Sequence, residues 1–270
     1  MKVSIVSDEV SLDFRTAAEL ATDWGINAFE VRWVGGHRTP YLDEWGRRSV
    51  ERAVRDFGVT LSAISPGLFK SQLGSEQMRE QAGGGLDDSL RLCNEWGVDL
   101  CIIFGVRCGD EDRNEGQGQV VDLMGEAAKR AAAAGVSLAI ETEPGHYCDT
   151  GENTAAIIEA VGSDSLRVNW DVGNSFHAGE SPQEGYARLR PYIANVHAKD
   201  LIRKPDGSWQ TVQLGTGHVG WGELIPTLAR DGFDRYVCVE THYGEKRVAE
   251  SRKCAAWLLE TVARAQGRSR

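Results

Sequence analysis

A short phrase recurs along the chain: a glycine, then within a few positions an apolar or β-branched run. It stands as WGINAFEVR (24–32), FGVTLSAIS (57–65), WGVDLCIIFG (96–105), AGVSLAIE (134–141) and DGFDRYVCVE (231–240). Glycine suits the left-handed position just past a helix C-terminus, and the run behind it reads as a buried strand. Each phrase therefore marks a helix stopping and a strand starting. Between the phrases lie RTAAELATDW, RRSVERAVRDF, VVDLMGEAAKRAAAA, TAAIIEAV and GELIPTLARD, with apolar residues at the three- and four-residue spacing of helices.

Adding KVSIVS near the start and the runs LRVNWD and YIANVH gives eight predicted strands, at 2–7, 28–34, 60–65, 100–105, 136–141, 166–171, 192–197 and 235–240. Strand and helix alternating eight times over about 250 residues is the arithmetic of an α/β fold of one kind, a single (β/α)8 TIM barrel spanning 1–270. The rival, a doubly wound open sheet, wants G-x-G-x-x-G after its first strand, where SDEVSLD stands instead. QAGGGLDD (81–88) is expected to split one helix in two rather than to separate domains, and QGRSR at the end reads as a frayed basic tail.

Asp and Glu number 40 against 30 Lys and Arg, a formal charge of -10, and no basic cluster interrupts the acidic background. Nucleic acid and anionic membrane are poor partners for such a surface. The six cysteines show no C-x-x-C spacing and several sit inside apolar runs, which fits a reduced cytoplasmic compartment. The apolar stretch of MKVSIVSDEV is too short for a signal peptide, and no run approaches the ~18 residues of a membrane span.

In a barrel the chemistry sits at the C-terminal ends of the strands. The last four predicted strands end in Glu141, Asp171, His197 and Glu240, spaced 30, 26 and 43 residues apart. Any one acid there could serve as a helix N-cap or as a partner for an arginine. Four in consecutive strands bring three carboxylates and an imidazole to one rim, where the carboxylates repel unless a cation sits among them. An oxygen-rich set with a single nitrogen suits one divalent metal ion, Mn²⁺ ahead of Mg²⁺ or Co²⁺, better than a thiolate zinc site.

The segments LAIETEPG, NWDVGNSFHAG, NVHAKD and YVCVE resemble, in order and spacing over nearly the whole chain, the metal-binding segments of the xylose isomerase-like sugar isomerase/epimerase superfamily. The resemblance implies that Glu141, Asp171, His197 and Glu240 bind one metal, with Glu141 and Glu240 also the catalytic acid/base pair. It implies an isomerase or epimerase of a keto-sugar or keto-inositol, working by proton abstraction next to a carbonyl through a metal-stabilised enediolate. The alternative is a lyase that enolises in the same way and then expels a β-substituent, as an inosose dehydratase or a 3-keto-glycoside or C-glycoside deglycosidase would. Homo-oligomers are common among such barrels.

Two further readings stand lower. An abasic-site endonuclease of the same superfamily needs three zinc ions and more rim histidines than a chain with six His supplies. A nonenzymatic sugar-binding subunit that has kept its ligands is the other.

Expected substrate contacts follow from position. Arg203, six residues after His197, matches a substrate-binding arginine of the resembling ketose 3-epimerases. Asn174 stands where many relatives carry the His of D-x-x-H, and a neutral amide is a poor zinc ligand but binds sugar hydroxyls. His177 and His146 are candidates to hydrogen-bond sugar hydroxyls or else surface residues, Trp33 at the end of the second strand is a candidate for the pocket wall, and Arg107 after the fourth strand for the pocket or the surface, whereas Glu30 and Arg32 read as structural. The long segment 201–221 is expected to form a lid or binding loop, anchored by Trp221.

Overall fold

The computed structural model describes residues 1–109 and 113–267; the last three residues of the basic tail lie outside them. Eight parallel strands, β1 (Lys2–Val6), β2 (Ala28–Val31), β3 (Thr60–Ile64), β4 (Leu100–Phe104), β5 (Ser137–Glu141), β6 (Leu166–Asp171), β7 (Ile193–Ala198) and β8 (Tyr236–Val239), close into a barrel. Sequence neighbours are sheet neighbours all the way round, with β8 returning to β1. The α/β barrel expected from the repeat is the fold.

The five repeated glycines account for much of this regularity. Gly25, Gly58, Gly97, Gly135 and Gly232 all have positive φ, between 64° and 94°. Each ends a helix without the Cβ clash another residue would meet, and releases the chain into the next strand. Helix starts are fixed as locally: Asp13, Asp43, Ser75, Thr150, Asp171 and Ser181 each accept a backbone N–H from the first turn that follows.

The chain divides into two compact units, Met1–Ser62 with Asn195–Arg270, and Ala63–Ala194. The divisions fall inside β3 and β7, which are continuous strands. In the first unit β1 pairs with both β2 and β8, and the helices Phe14–Asp23 and Glu44–Phe57 pack together. In the second, β4, β5 and β6 pair in register around a core of Ala63, Leu100, Ile102 and Ala139. Small side chains there leave room for branched ones in a narrow interior.

The structure refines three expectations. The strand predicted at 28–34 ends at Val31, because Trp33–Val34 turns away to form an antiparallel ladder with His37–Arg38. Segment 201–221 is no open loop: Asp200–Arg203 pairs antiparallel with Trp209–Val212. Its anchor is Trp221, fully buried, whose indole N–H donates to the Lys199 carbonyl at 2.9 Å. The Gly-rich stretch does break the helix, with Gly83 at φ -91°, ψ -109° between Glu76–Glu80 and Leu86–Trp96.

Candidate metal centre

Glu141 is the last residue of β5, Asp171 the last of β6, His197 the last but one of β7, and Glu240 directly follows β8. All four are buried. Glu141 and Asp171 belong to the second compact unit, and His197 and Glu240 to the first. Buried carboxylates and an imidazole at strand ends are donors of the kind that divalent cations take.

The second unit holds its two acids through a cross-strand lattice. Asn169 is the register partner of Glu141, and its amide donates to Glu141 Oε2 at 3.2 Å. The Thr142 hydroxyl donates to the Asp171 carbonyl and accepts from the Asp171 N–H, both at 3.0 Å. Asp171 Oδ1 accepts the Asn174 N–H at 2.9 Å and so caps the helix Val172–His177. Asp171 is thus an N-cap as well as a candidate ligand, one oxygen serving the cap.

The first unit places several charges around Glu240. Arg32 Nη1 donates to Glu240 Oε1 at 2.7 Å, and the same guanidinium reaches Asp8 Oδ2 at 2.9 Å and Glu9 Oε1 at 2.8 Å. Lys199 Nζ donates to Glu240 Oε2 at 3.1 Å, and His242 Nε2 lies 3.3 Å from Oε1. Burial by itself would push the Glu240 carboxyl up, but the charges of Lys199 and His242 oppose it and the group is held well below the usual carboxylate range. Burial likewise opposes the Arg32 charge, and Asp8 and Glu240 more than compensate. Glu240 raises the His242 imidazole above its ordinary value. His197 Nε2 lies 2.7 Å from Glu30 Oε2, and its Nδ1 lies 3.4 Å from Glu240 Oε2.

The substrate-binding candidates are distributed unevenly. Asn174 is buried, with its amide donating to the Thr142 carbonyl at 3.0 Å and to Glu143 Oε2 at 2.9 Å. His146 is buried beside Phe104, and its Nδ1 lies 3.1 Å from the Pro144 carbonyl. A carbonyl only accepts, so Nδ1 carries the proton and Nε2 is a bare acceptor, with no hydrogen-bond partner among the described residues. Burial lowers the pKa of this imidazole and keeps it neutral near pH 7. Arg107 is exposed and lines a cavity of about 320 Å³ with Gln72, Glu115, Gln119 and Tyr147. Trp33 is half-buried with the Arg38 guanidinium 5.7 Å from its ring, His177 is exposed at the end of its helix, and Arg203 is exposed with its guanidinium 5.9 Å from the Trp209 ring. Sequence reading missed Asp8, Glu9, Lys199 and His242, and assigned Glu30 and Arg32 only to structure. Their one signal is a charged residue just inside or past a barrel strand.

Among solved structures, the chain superposes on a probable 3-DHS dehydratase, AsbF, from Bacillus anthracis with TM-score 0.78 at 20% identity, covering 96% of this chain and 99% of that one. An L-ribulose 3-epimerase gives 0.78 at 17%, covering 99% and 96%, and the IOLI protein with a bound zinc atom gives 0.79 at 18%, covering 99% and 98%. A search of curated proteins by sequence found no match. Residues 18–261 fit the sequence model of the xylose isomerase-like TIM barrel, and with that match over most of its length the chain belongs to the xylose isomerase-like TIM barrel family.

Proposed function

We propose that the protein is a divalent-metal-dependent isomerase or epimerase of a keto-sugar or keto-cyclitol, and that Glu141, Asp171, His197 and Glu240 hold one cation, Mn²⁺ before Mg²⁺ or Co²⁺. The observation that carries this is that four consecutive barrel strands end in three buried carboxylates and a buried imidazole. The bound ion would act as a Lewis acid, polarising a substrate carbonyl and making the adjacent carbon more acidic.

The chain's own groups then move the proton. Glu141, steadied by Asn169, takes it from the carbon next to the carbonyl. Return of a proton to the opposite face by Glu240 gives the epimer, and return to the neighbouring carbon gives the isomer. A positioned acid or base contributes roughly 10²–10⁴-fold. His146 Nε2 is well suited to accept a substrate hydroxyl, because a neutral buried imidazole gains a hydrogen bond it otherwise lacks. Six free thiols suit a reducing compartment, and no helix among the described residues is long and apolar enough to cross a membrane.

One feature supports the lyase as a second reading. Both oxygens of Glu240 already accept from fixed cations, Arg32 and Lys199, so Glu240 carries a proton less readily than a carboxylate without them. Enolisation followed by loss of a β-substituent needs a base on one face only.

The experiment is metal analysis of purified wild type and Glu240→Gln, then incubation of the Mn²⁺ form with keto-sugars in D₂O. About one divalent ion per chain is expected, weakened in the variant, with deuterium entering next to the carbonyl. Exchange with β-bond cleavage selects the lyase, and neither metal nor exchange refutes both readings.

A further inference from the structure

Strand β2 supplies none of the four residues proposed as metal ligands, yet its end reaches two of them. Glu30 and Arg32 are two residues apart, the spacing that puts both side chains on one side of an extended segment. Glu30 is fully buried and touches His197; Arg32, whose side chain is 14% exposed, touches Glu240. We infer that Glu30 and Arg32 are the positioning residues of the metal centre, Glu30 fixing which nitrogen of His197 faces the ion and Arg32 fixing the Glu240 carboxylate. This rests on the metal reading above.

A carboxylate oxygen only accepts, so the 2.7 Å contact to Glu30 Oε2 puts a proton on His197 Nε2, and in the neutral ring that a metal ligand requires the lone pair is then on Nδ1. Nδ1 is the nitrogen that stands 3.4 Å from Glu240 Oε2. Two lone-pair atoms facing each other repel, and a cation bound by both turns that repulsion into attraction. An imidazole held by a carboxylate behind it is also a more basic and better oriented ligand.

Two other groupings of possible ligands occur here, Glu30 with His197 and Cys238, and Glu9 with Glu240 and His242. The same contacts explain why these are support rather than further metal sites. In the first, the space between Glu30 and His197 is closed by their hydrogen bond. In the second, the Arg32 guanidinium already bridges Glu9 Oε1 and Glu240 Oε1 at 2.8 and 2.7 Å. A planar fork bonded to three carboxylates fixes direction as well as charge, which an ammonium on a flexible stem does not.

The test measures Mn²⁺ affinity of metal-free protein by competition with a chelating dye, so no substrate is needed. Glu30→Leu is expected to weaken binding about 10–100-fold, the usual effect of removing such a partner. Glu30→Gln keeps most of the affinity, because its amide oxygen still accepts from Nε2–H. Arg32→Lys falls between wild type and Arg32→Met, and Glu51→Gln, on an exposed helix face, changes nothing. The Co²⁺ absorption spectrum of Glu30→Leu shifts, which a purely structural role would not cause.

Wild-type affinity in Glu30→Leu overturns the inference, whereas a wild type that binds no Mn²⁺ removes the metal reading beneath it. Should Glu30→Leu fail to fold, the imidazole ¹⁵N spectrum of metal-free wild type, assigned with His197→Gln, decides. The Nε2–H tautomer at His197 supports the inference and the Nδ1–H tautomer refutes it.

Discussion

Asp200, one residue beyond Lys199, is 1% exposed and accepts four backbone N–H groups: Leu201 at 3.0 Å and Val219 at 3.2 Å through Oδ1, Gly215 and Gly217 at 2.9 Å through Oδ2. This one carboxylate closes the segment 213–219 onto the end of β7. Replacing it with alanine strands four donors. Leu201 and Val219 are buried and each lost bond costs about 1–3 kcal/mol, while water reaches the exposed Gly215 and costs less there. Asp200→Ala should therefore lower stability by about 4 kcal/mol, a large share of the 5–15 kcal/mol typical of a folded chain. Asp200→Asn keeps one oxygen for one pair of donors and turns an NH₂ toward the other, so it should lose about half as much. Gly217→Ala should act in the same direction, because its Cβ would stand 2.2 Å from Asp200 Oδ1. Urea denaturation of metal-free protein reads the effect as a shift in midpoint at constant slope, with the exposed Asp234→Ala as control. A loss below about 1 kcal/mol for Asp200→Ala would refute the accounting, since it falls short of even one buried unmet donor.

Other outcomes follow from burial and contact. Cys93, Cys101, Cys148, Cys238 and Cys254 are buried, and burial pushes the Cys148 thiol to about 12 and Cys254 to about 11, so a thiol reagent on native protein should label only the half-buried Cys108; mass spectrometry of the labelled peptides checks this. Gly105→Ala would set a Cβ 2.3 Å from Cys148 Cβ and should destabilise by about 1–3 kcal/mol, read from thermal unfolding. Burial raises the Glu180 carboxyl even though Gly151 N donates to it. The native state then keeps its proton to higher pH than the unfolded chain, so the cost of the buried charge is absent below about 4.5 and accrues as pH rises through the raised native value. The stability of wild type relative to Glu180→Gln should fall across that interval, and a difference independent of pH would exclude burial as the cause.

Most of what was legible in the sequence was local. The five glycines at helix ends, the capping Asp, Ser and Thr residues and the apolar runs each act within a few residues, and together they specified the eight strands and their order. The same locality showed Glu141, Asp171, His197 and Glu240 at strand ends, because a carboxylate closing an apolar run is visible without knowing what lies opposite. Trp221 was read as an anchor, and it is one.

What the sequence concealed was the company these residues keep. Arg32 meets Glu240 across 208 positions and Glu30 meets His197 across 167, separations set by closure of the barrel and carried by no motif. Read alone, Glu30 and Arg32 are a charged pair around a valine in EVRW; in the fold they are the groups that satisfy and orient two of the buried cluster. Asn174 is similar: its type suits a sugar hydroxyl, and only the fold shows its amide NH₂ donating to Thr142 and Glu143. The sequence by itself determined the barrel and the strand ends that carry acids, because both depend on short-range backbone and burial preferences. Only the tertiary structure decided how those acids are neutralised, since a buried charge is stabilised by whatever the closed barrel brings within hydrogen-bond reach.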